Sequence, residues 1–291
     1  MSSGNILIDI TLVWNYTTVC RLYDVFPQGL GFVLVFEFMV SDLSEVIKDA
    51  RRPLTVPEIK SYMVMLLKGV SHLHNNKIMH RDLKPANLLI SGEGRLKIAD
   101  FGLSRISEGG ERRQYSHQVA TRWYRPPELL YGSRSYTEGV DLWAIGCVFG
   151  ELLNRCPLFP GENDIDQLGI VIRNLGTPTQ QSWPGLTSLP DYSKITFPDC
   201  QGVSYQDMLP EADPAAVNLL SKFVLYDSEK RLSASEAQRH YYFHEKPFPA
   251  RLDQMSKPQE KKLNLGNNRE YPTNIPFHKH FEKLLSIDFG E

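Results

Sequence analysis

The chain has 291 residues, 42% of them hydrophobic and 23% charged, a balance that supports a buried core and excludes wholesale disorder. Thirty-two Lys and Arg against 34 Asp and Glu leave a formal charge of −2, so no global basic field draws the chain to nucleic acid or an anionic membrane. Cys20, Cys147, Cys156 and Cys200 form no C-x-x-C pair and lie beside no His at ligand spacing, and they are expected to be reduced, buried thiols of an intracellular protein.

The first basic residue is Arg21, and Asp9 interrupts the only early apolar run, so a secretory signal is not expected. Residues 5–14, NILIDITLVW, are rich in β-branched side chains and read as a strand. Residues 31–39, GFVLVFEFM, form a second, nearly all-apolar strand whose composition implies burial on both faces. SDLSEVIKDA then reads as a short helix. The small basic cluster after it, Lys48, Arg51 and Arg52, is either a solvated helix end or a partner site.

From Thr55 the period changes. Thr55 and Glu58 form a capping box, with Pro57 tolerated in the first turn. Ile59, Tyr62, Met63, Leu66, Val70 and Leu73 then recur at three and four, which predicts one apolar helix face. Residues 88–99 hold two short strand-like runs around the turn Ser91-Gly92-Glu93-Gly94. Residues 141–153 are apolar nearly all round and predict a central helix. The run 142–150 within it is far short of the ~20 residues needed to span a bilayer. Residues 214–225 and 233–241 are again expected to be helical. Residues 245–275 read as a mostly irregular tail, and Phe277, Phe281, Leu284 and Leu285 as a short docking helix. No internal repeat appears.

The chemistry concentrates in HRDLKPAN at 80–87 and DFG at 100–102. Phosphoryl transfer needs a carboxylate to take or orient a hydroxyl proton, which suits Asp82. It needs Mg²⁺, a hard cation that takes oxygen ligands, which suits Asn87 and Asp100. Lys84 stands two residues past Asp82, where it can offset charge on a moving phosphoryl group. The turn at 91–94 returns the chain so that Asp82, Asn87 and Asp100 can converge.

On these motifs the chain resembles the protein kinases. VATRWYRPPE at 119–128, DLWAIGC at 141–147, PLFPGENDIDQLGIVIRNLGTP at 157–178 and KRLSASEA at 230–237 resemble the cyclin-dependent kinase group. ATRWYR together with FVLVFEFM and SDL is similar to its cell-cycle-related branch. The resemblance runs from about Thr18 to Phe243.

It implies an α+β, protein kinase-like fold with a complete, mainly helical C-lobe and a truncated β N-lobe. The expected divisions are an atypical segment 1–17, an N-lobe remnant and hinge 18–39, a C-lobe 40–243 and a tail 244–291. The resemblance further implies ATP and Mg²⁺ as cofactors, and protein substrates phosphorylated on Ser/Thr, with Pro following. Phe36 would guard the back of an adenine pocket. Glu37 and Met39 would bond adenine through their backbones, Asp42 would sit near the ribose, and Leu89 would pack under the base. Thr121 would bridge Asp82 and Lys84, Glu128 would pair with Arg231, and Arg125 would shape the pocket for Pro. Ser116 falls where the group carries an activating phosphate, with Arg81 and Arg105 to pair with it; on position alone it is a solvated loop serine. A cyclin or cyclin-like activator, no nucleic acid or membrane partner, and a place in nucleus, cytoplasm and cilium are implied in the same way.

The grip on the phosphates departs from the group. Gly4 is the only glycine before Gly29, the first lysine is Lys48, and Asp9 and Asp24 are the only acids before Glu37. The glycine loop, the strand Lys and the helix Glu are therefore expected to be missing. Three readings stand: an active kinase; a kinase-like module that binds partners without catalysis; and a truncated splice or gene-model product.

Overall fold

The structure, a computed structural model, describes residues 17–29, 31–107 and 115–258. The strand expected at 5–14 and the helix expected around Phe277 to Leu285 lie outside those residues.

β1 (Leu22–Gln28) and β2 (Gly31–Phe36) form an antiparallel hairpin that is a sheet of its own, with Val25 opposite Leu34 and Phe26 opposite Val33. The burial on both faces that the composition of β2 implies is not met. Phe32 is 54% exposed, Leu34 42% and Phe36 41%. Among the described residues no third strand joins this hairpin, and a two-stranded sheet buries little on its own. Just before β1, the hydrogen bonds Cys20 N to Ile98 O (2.8 Å) and Ile98 N to Thr18 O (2.9 Å) tie the chain to the larger body.

β3 (Ser41–Asp42) leads into α1 (Leu43–Lys48), the short helix expected there. The long helix α2 (Val56–Asn75) follows. Glu58 Oε2 accepts from Thr55 N at 2.9 Å and Thr55 Oγ1 at 2.8 Å, which satisfies the backbone N–H of the residue that caps the helix. All six residues of the expected stripe, Ile59 through Leu73, are buried. At ~1.5–3 kcal/mol for each fully buried large apolar side chain, that face anchors the core. β4 (Ile78–Met79), β5 (Leu88–Ile90), β6 (Leu96–Ile98) and β7 (Arg105–Ile106) come next. β3, β5 and β6 make one antiparallel sheet and β4 pairs with β7.

The helical part continues with α3 (Pro127–Leu130), α4 (Gly139–Asn154), α5 (Asp164–Leu175), α6 (Tyr205–Met208), α7 (Pro214–Phe223) and α8 (Ala234–Ala237). α4 is the central helix foreseen: every residue from Gly139 to Leu152 is buried. The helix expected over 233–241 is shorter. α8 stops at Ala237, and after it the His240 ring accepts from Tyr242 N at 3.2 Å, which caps a separate turn, Tyr241–Phe243.

The described tail is irregular apart from one turn at Leu252–Gln254, yet it straps across α2. Lys60 Nζ donates to Glu245 O (2.8 Å), Ser61 Oγ to Ala250 O (2.7 Å), Ala250 N to Pro57 O (3.0 Å) and Ser256 N to Glu58 Oε1 (3.0 Å). The four cysteines are unpaired, as expected, but only Cys20 and Cys147 are buried; Cys156 is exposed because it follows the end of α4. Burial pushes the Cys20 thiol up to about 11, which keeps it protonated and unreactive. Among the described residues no helix is long and apolar enough to cross a membrane.

Candidate active site

The 80–87 loop hangs on one carboxylate. Asp141, in the first turn of α4, accepts from His80 N (2.9 Å), Arg81 N (2.8 Å) and His74 Nε2 (2.9 Å). Burial works to raise this carboxyl, but the surrounding donors outweigh it and hold Asp141 below the usual carboxylate range. Arg81 sits at φ 67, a backbone cost that those bonds offset. His80 is fully buried. Its Nε2 lies 3.0 Å from Ala99 O and its Nδ1 accepts from Asp82 N at 3.3 Å. Burial keeps this imidazole below its ordinary value, so it stays neutral, with the proton on Nε2. Nothing in the spacing of Asp141 announces this role; the signal available was an acid opening an otherwise apolar helix.

Asp82, Lys84, Asn87 and Thr121 are brought together. Lys84 Nζ donates to Asp82 Oδ2 and to Thr121 Oγ1, both at 2.8 Å. Thr121 donates to Asp82 Oδ1 through N and Oγ1, both at 2.9 Å. Asn87 Nδ2 donates to Asp82 O (2.9 Å) and Oδ2 (3.0 Å). The bridge expected of Thr121 is present in full. Asp82 is thus oriented by three neighbours while Lys84 keeps its charge close by.

Asp100 follows β6 at φ 61, and its Oδ1 accepts from Gly102 N at 3.2 Å. Ala99 N donates to Asn87 O at 2.9 Å, which sets Asp100 beside Asn87. With its Nδ2 spent on Asp82, the Asn87 carboxamide oxygen faces away from that carboxylate. An amide oxygen and a carboxylate are the donors a hard divalent cation takes, with water and phosphate oxygens completing the shell. These two residues fit Mg²⁺. Among the described residues no group of three or more His, Cys, Asp or Glu could hold a metal ion.

Of the residues expected beside adenine, Phe36 ends β2, Glu37 and Met39 follow it, Asp42 is on β3 and Leu89 is on β5. Glu37 is tied down: its carboxylate pairs with Lys97 Nζ at 2.6 and 2.7 Å and accepts from Arg21 N at 2.6 Å. Met39 is half-buried and Phe36 ends the exposed hairpin. Asp42 caps α1, its Oδ1 accepting from Ser44 N (2.9 Å) and Glu45 N (3.2 Å). Leu89 pairs with Asp42 across β3 and β5 and is half-buried between two buried strand neighbours.

In the 115–128 stretch the geometry is partly as expected. Ser116 is exposed. Neither arginine touches its hydroxyl. Arg81 Nη1 donates to Tyr136 Oη (2.8 Å), and that hydroxyl donates to Ser116 O (2.7 Å). Arg105 Nη1 donates to the neighbouring Ser104 O, at 3.0 Å. The Tyr115 ring lies 5.8 Å from the Arg81 guanidinium and 5.2 Å from the Tyr136 ring. Arg125 grips the loop before it, donating to Val119 O (3.0 Å) and Ala120 O (2.9 Å) and pairing with Asp164 at 3.0 Å. Ala120 is held at φ 64, a left-handed setting that no sequence pattern revealed. Glu128 and Arg231 form the expected pair, buried, at 2.6 and 2.8 Å.

A family model described as the protein kinase domain matches residues 8–243, so the likeness begins ten residues before Thr18, where the motifs alone start it. The chain is 57% identical over 265 residues to cyclin-dependent kinase 20 of Danio rerio, covering 90% of this chain and 77% of that protein. It is 58% identical over 241 residues to the Mus musculus protein of the same name, covering 83% and 70%. Cyclin-dependent kinase 7 of Xenopus laevis is 43% identical over 264 residues, covering 88% and 74%. Among solved structures, one chain of the Chaetomium thermophilum CAK complex bound to ATP-gamma-S superposes with a TM-score of 0.81 at 34% identity, covering 89% of this chain and 82% of that one. A chain of the yeast RNA polymerase II CTD kinase CTDK-1 complex gives 0.77 at 34%, covering 87% and 84%.

Proposed function

The chain belongs to the protein kinase family, with cyclin-dependent kinases among its relatives, and on that premise we propose that it transfers the γ-phosphoryl group of ATP to Ser or Thr hydroxyls of proteins, preferring Ser/Thr-Pro. The observation that carries this reading is the Asp82–Lys84–Thr121 cluster with Asn87 behind it. Asp82 orients the substrate hydroxyl and takes its proton as the oxygen bonds to the γ-phosphorus. The bond from that phosphorus to the β-bridging oxygen breaks, and ADP leaves. Lys84 offsets the charge spread over the phosphoryl oxygens. Thr121 keeps Asp82 aimed. Asn87 and Asp100 would hold Mg²⁺, which neutralises phosphate charge when bound.

Glu37 and Met39 would offer backbone groups to adenine, with Leu89 beneath the base and Asp42 toward the ribose. With its carboxylate taken by Lys97, Glu37 has only its main chain to offer. Pro preference is supported by Ala120: its left-handed backbone leaves its carbonyl bonded to Arg125 and unable to serve a substrate amide, and proline has no amide hydrogen to satisfy. Phosphorylated Ser116 would recruit Arg81 and Arg105. The relatives' name supports a cyclin-like activator, acting in nucleus and cytoplasm and, on resemblance alone, at the cilium.

A radiolabel transfer assay on the purified chain with a Ser-Pro-rich basic protein tests the reading. Transfer by the wild type that vanishes in Asp100→Asn is expected. Equal background from both proteins overturns it.

A further inference from the structure

Away from the 80–87 loop, a groove of about 720 Å³ opens between α1 and the tail strap. Its walls come from Glu45, Val46 and Lys48 on α1, from Arg51, Arg52 and Leu54 in the loop after it, and from Lys257 and Pro258 on the strap. It contains none of Glu37, Met39, Asp82, Asn87, Leu89 or Asp100, so it is separate from the site above.

The strap wall is fixed in place. Ser256 is held by Glu58, and Met255 is only 4% exposed, packed against Gly94, where a Cβ would come within 2.8 Å of the Met255 side chain. A preformed wall lowers the ordering cost of binding. The charge of the groove is opposite to that of the chain. Four basic side chains face two acidic ones, +4 and −2, for a local +2, while the whole chain carries −2. Asp49 is spent on its own neighbour: Arg51 Nε donates to Oδ1 at 3.0 Å, and those bonds hold the Asp49 carboxyl below its ordinary value. Lys48, Arg52 and Lys257 have no ion pair among the described residues, and all three are exposed. They approach the groove from both of its sides.

Val46, Leu54 and Pro258 interrupt the charges with apolar surface, and the volume suits a drug-sized ligand or a few residues of peptide and exceeds what one small anion fills. A groove with two walls also does not fit a flat membrane face. We propose that this groove binds an extended, acidic peptide segment of a partner protein, its carboxylates meeting Lys48, Arg52 and Lys257 and its apolar side chains resting on Val46, Leu54 and Pro258. The binding needs no nucleotide and does not rest on phosphoryl transfer.

Fluorescence anisotropy tests it, using a fluorescein-labelled peptide of alternating Glu and Leu and a twin with Gln in place of Glu. The Glu peptide should bind saturably and the Gln twin at least ~10-fold more weakly, with the difference shrinking as salt is raised. The triple variant Lys48→Glu/Arg52→Glu/Lys257→Glu should lose at least ~10-fold in affinity. A variant of equal net charge, Lys222→Glu/Arg239→Glu/Lys246→Glu, should bind like the wild type. Unchanged thermal unfolding in both variants confirms that the fold is kept. Equal binding of the two peptides, equal loss in both triple variants, or groove-dependent binding of phosphatidylserine vesicles without binding of the peptide would each overturn the proposal.

Discussion

The guanidinium of Arg81 is joined to the hydroxyl of Tyr136 at 2.8 Å, and through that hydroxyl to the main chain of Ser116. Burial raises the Tyr136 phenol above its ordinary value, so the hydroxyl stays protonated and can donate onward. Tyr136→Phe removes both bonds and strands a buried charged donor. A loss of about 1.5–3 kcal/mol is expected from urea unfolding, with faster proteolysis near Ser116. A stability within error of the wild type would show that the link is incidental.

On the proposed reading, Thr121 acts through Asp82, to which it donates two hydrogen bonds. Thr121→Ala should lower kcat about 10- to 100-fold, the worth of one hydrogen bond to a charged group. Its KM for ATP should not move, and Thr121→Ser should recover most of the rate. Steady-state kinetics on the three proteins check this, and failure of the serine to recover activity would mean that the methyl group, not the hydroxyl, matters.

Glu128 and Arg231 are buried together, with Arg231 also donating to Gly139 O at 2.8 Å and Leu225 O at 2.9 Å. Removing one charge leaves the other unpaired in the interior. Glu128→Gln should cost about 3–5 kcal/mol, read as a lower urea midpoint with an unchanged slope.

Ala120 adopts a left-handed backbone that costs an L-residue about 1–2 kcal/mol and glycine little. Ala120→Gly should therefore leave the thermal midpoint equal or higher, whereas a β-branched residue there should lower it. A clear drop for glycine would mean that the methyl group packs usefully.

Stability should fall on mild acidification. Burial holds His72, His80 and His240 below the ordinary imidazole value. As pH drops below ~6.5 the unfolded chain takes up protons that the folded one refuses, so the contribution is complete above ~6.5 and is lost as pH falls through the folded-state values. The slope is at most about 1.4 kcal/mol per pH unit for each histidine. Asp141 stays ionised across this window, its own contribution lost only below the ordinary carboxylate range. Guanidinium unfolding between about pH 7.5 and 5.5 should show the decline, and His80→Gln should flatten it.

Legibility followed pattern. The convergence of Asp82, Lys84, Asn87 and Asp100 was readable from HRDLKPAN and DFG because these residues are close in sequence as well as in space. The stripe on α2 and the all-round apolar α4 were readable because helical period maps directly onto burial. Tyr136 and the strap were not, since each depends on isolated hydrogen bonds between distant residues, and a stretch rich in Lys and Pro has no period to read; Ala120 was not, since an alanine carries no signal of a left-handed backbone. The apolar run of β2 misled for a related reason: composition reports what a strand can bury, while the number of neighbouring strands decides what it does bury.

The strap also sets an order of events during synthesis. Ser61 lies 189 residues before the Ala250 carbonyl that it bonds. At ~5–20 residues per second, α2 leaves the ribosome on the order of ten to forty seconds before its cover exists. Throughout that interval Lys60 and Ser61, which end up almost wholly enclosed, face solvent, so the nascent chain presents to chaperones a helix flank that the described fold covers.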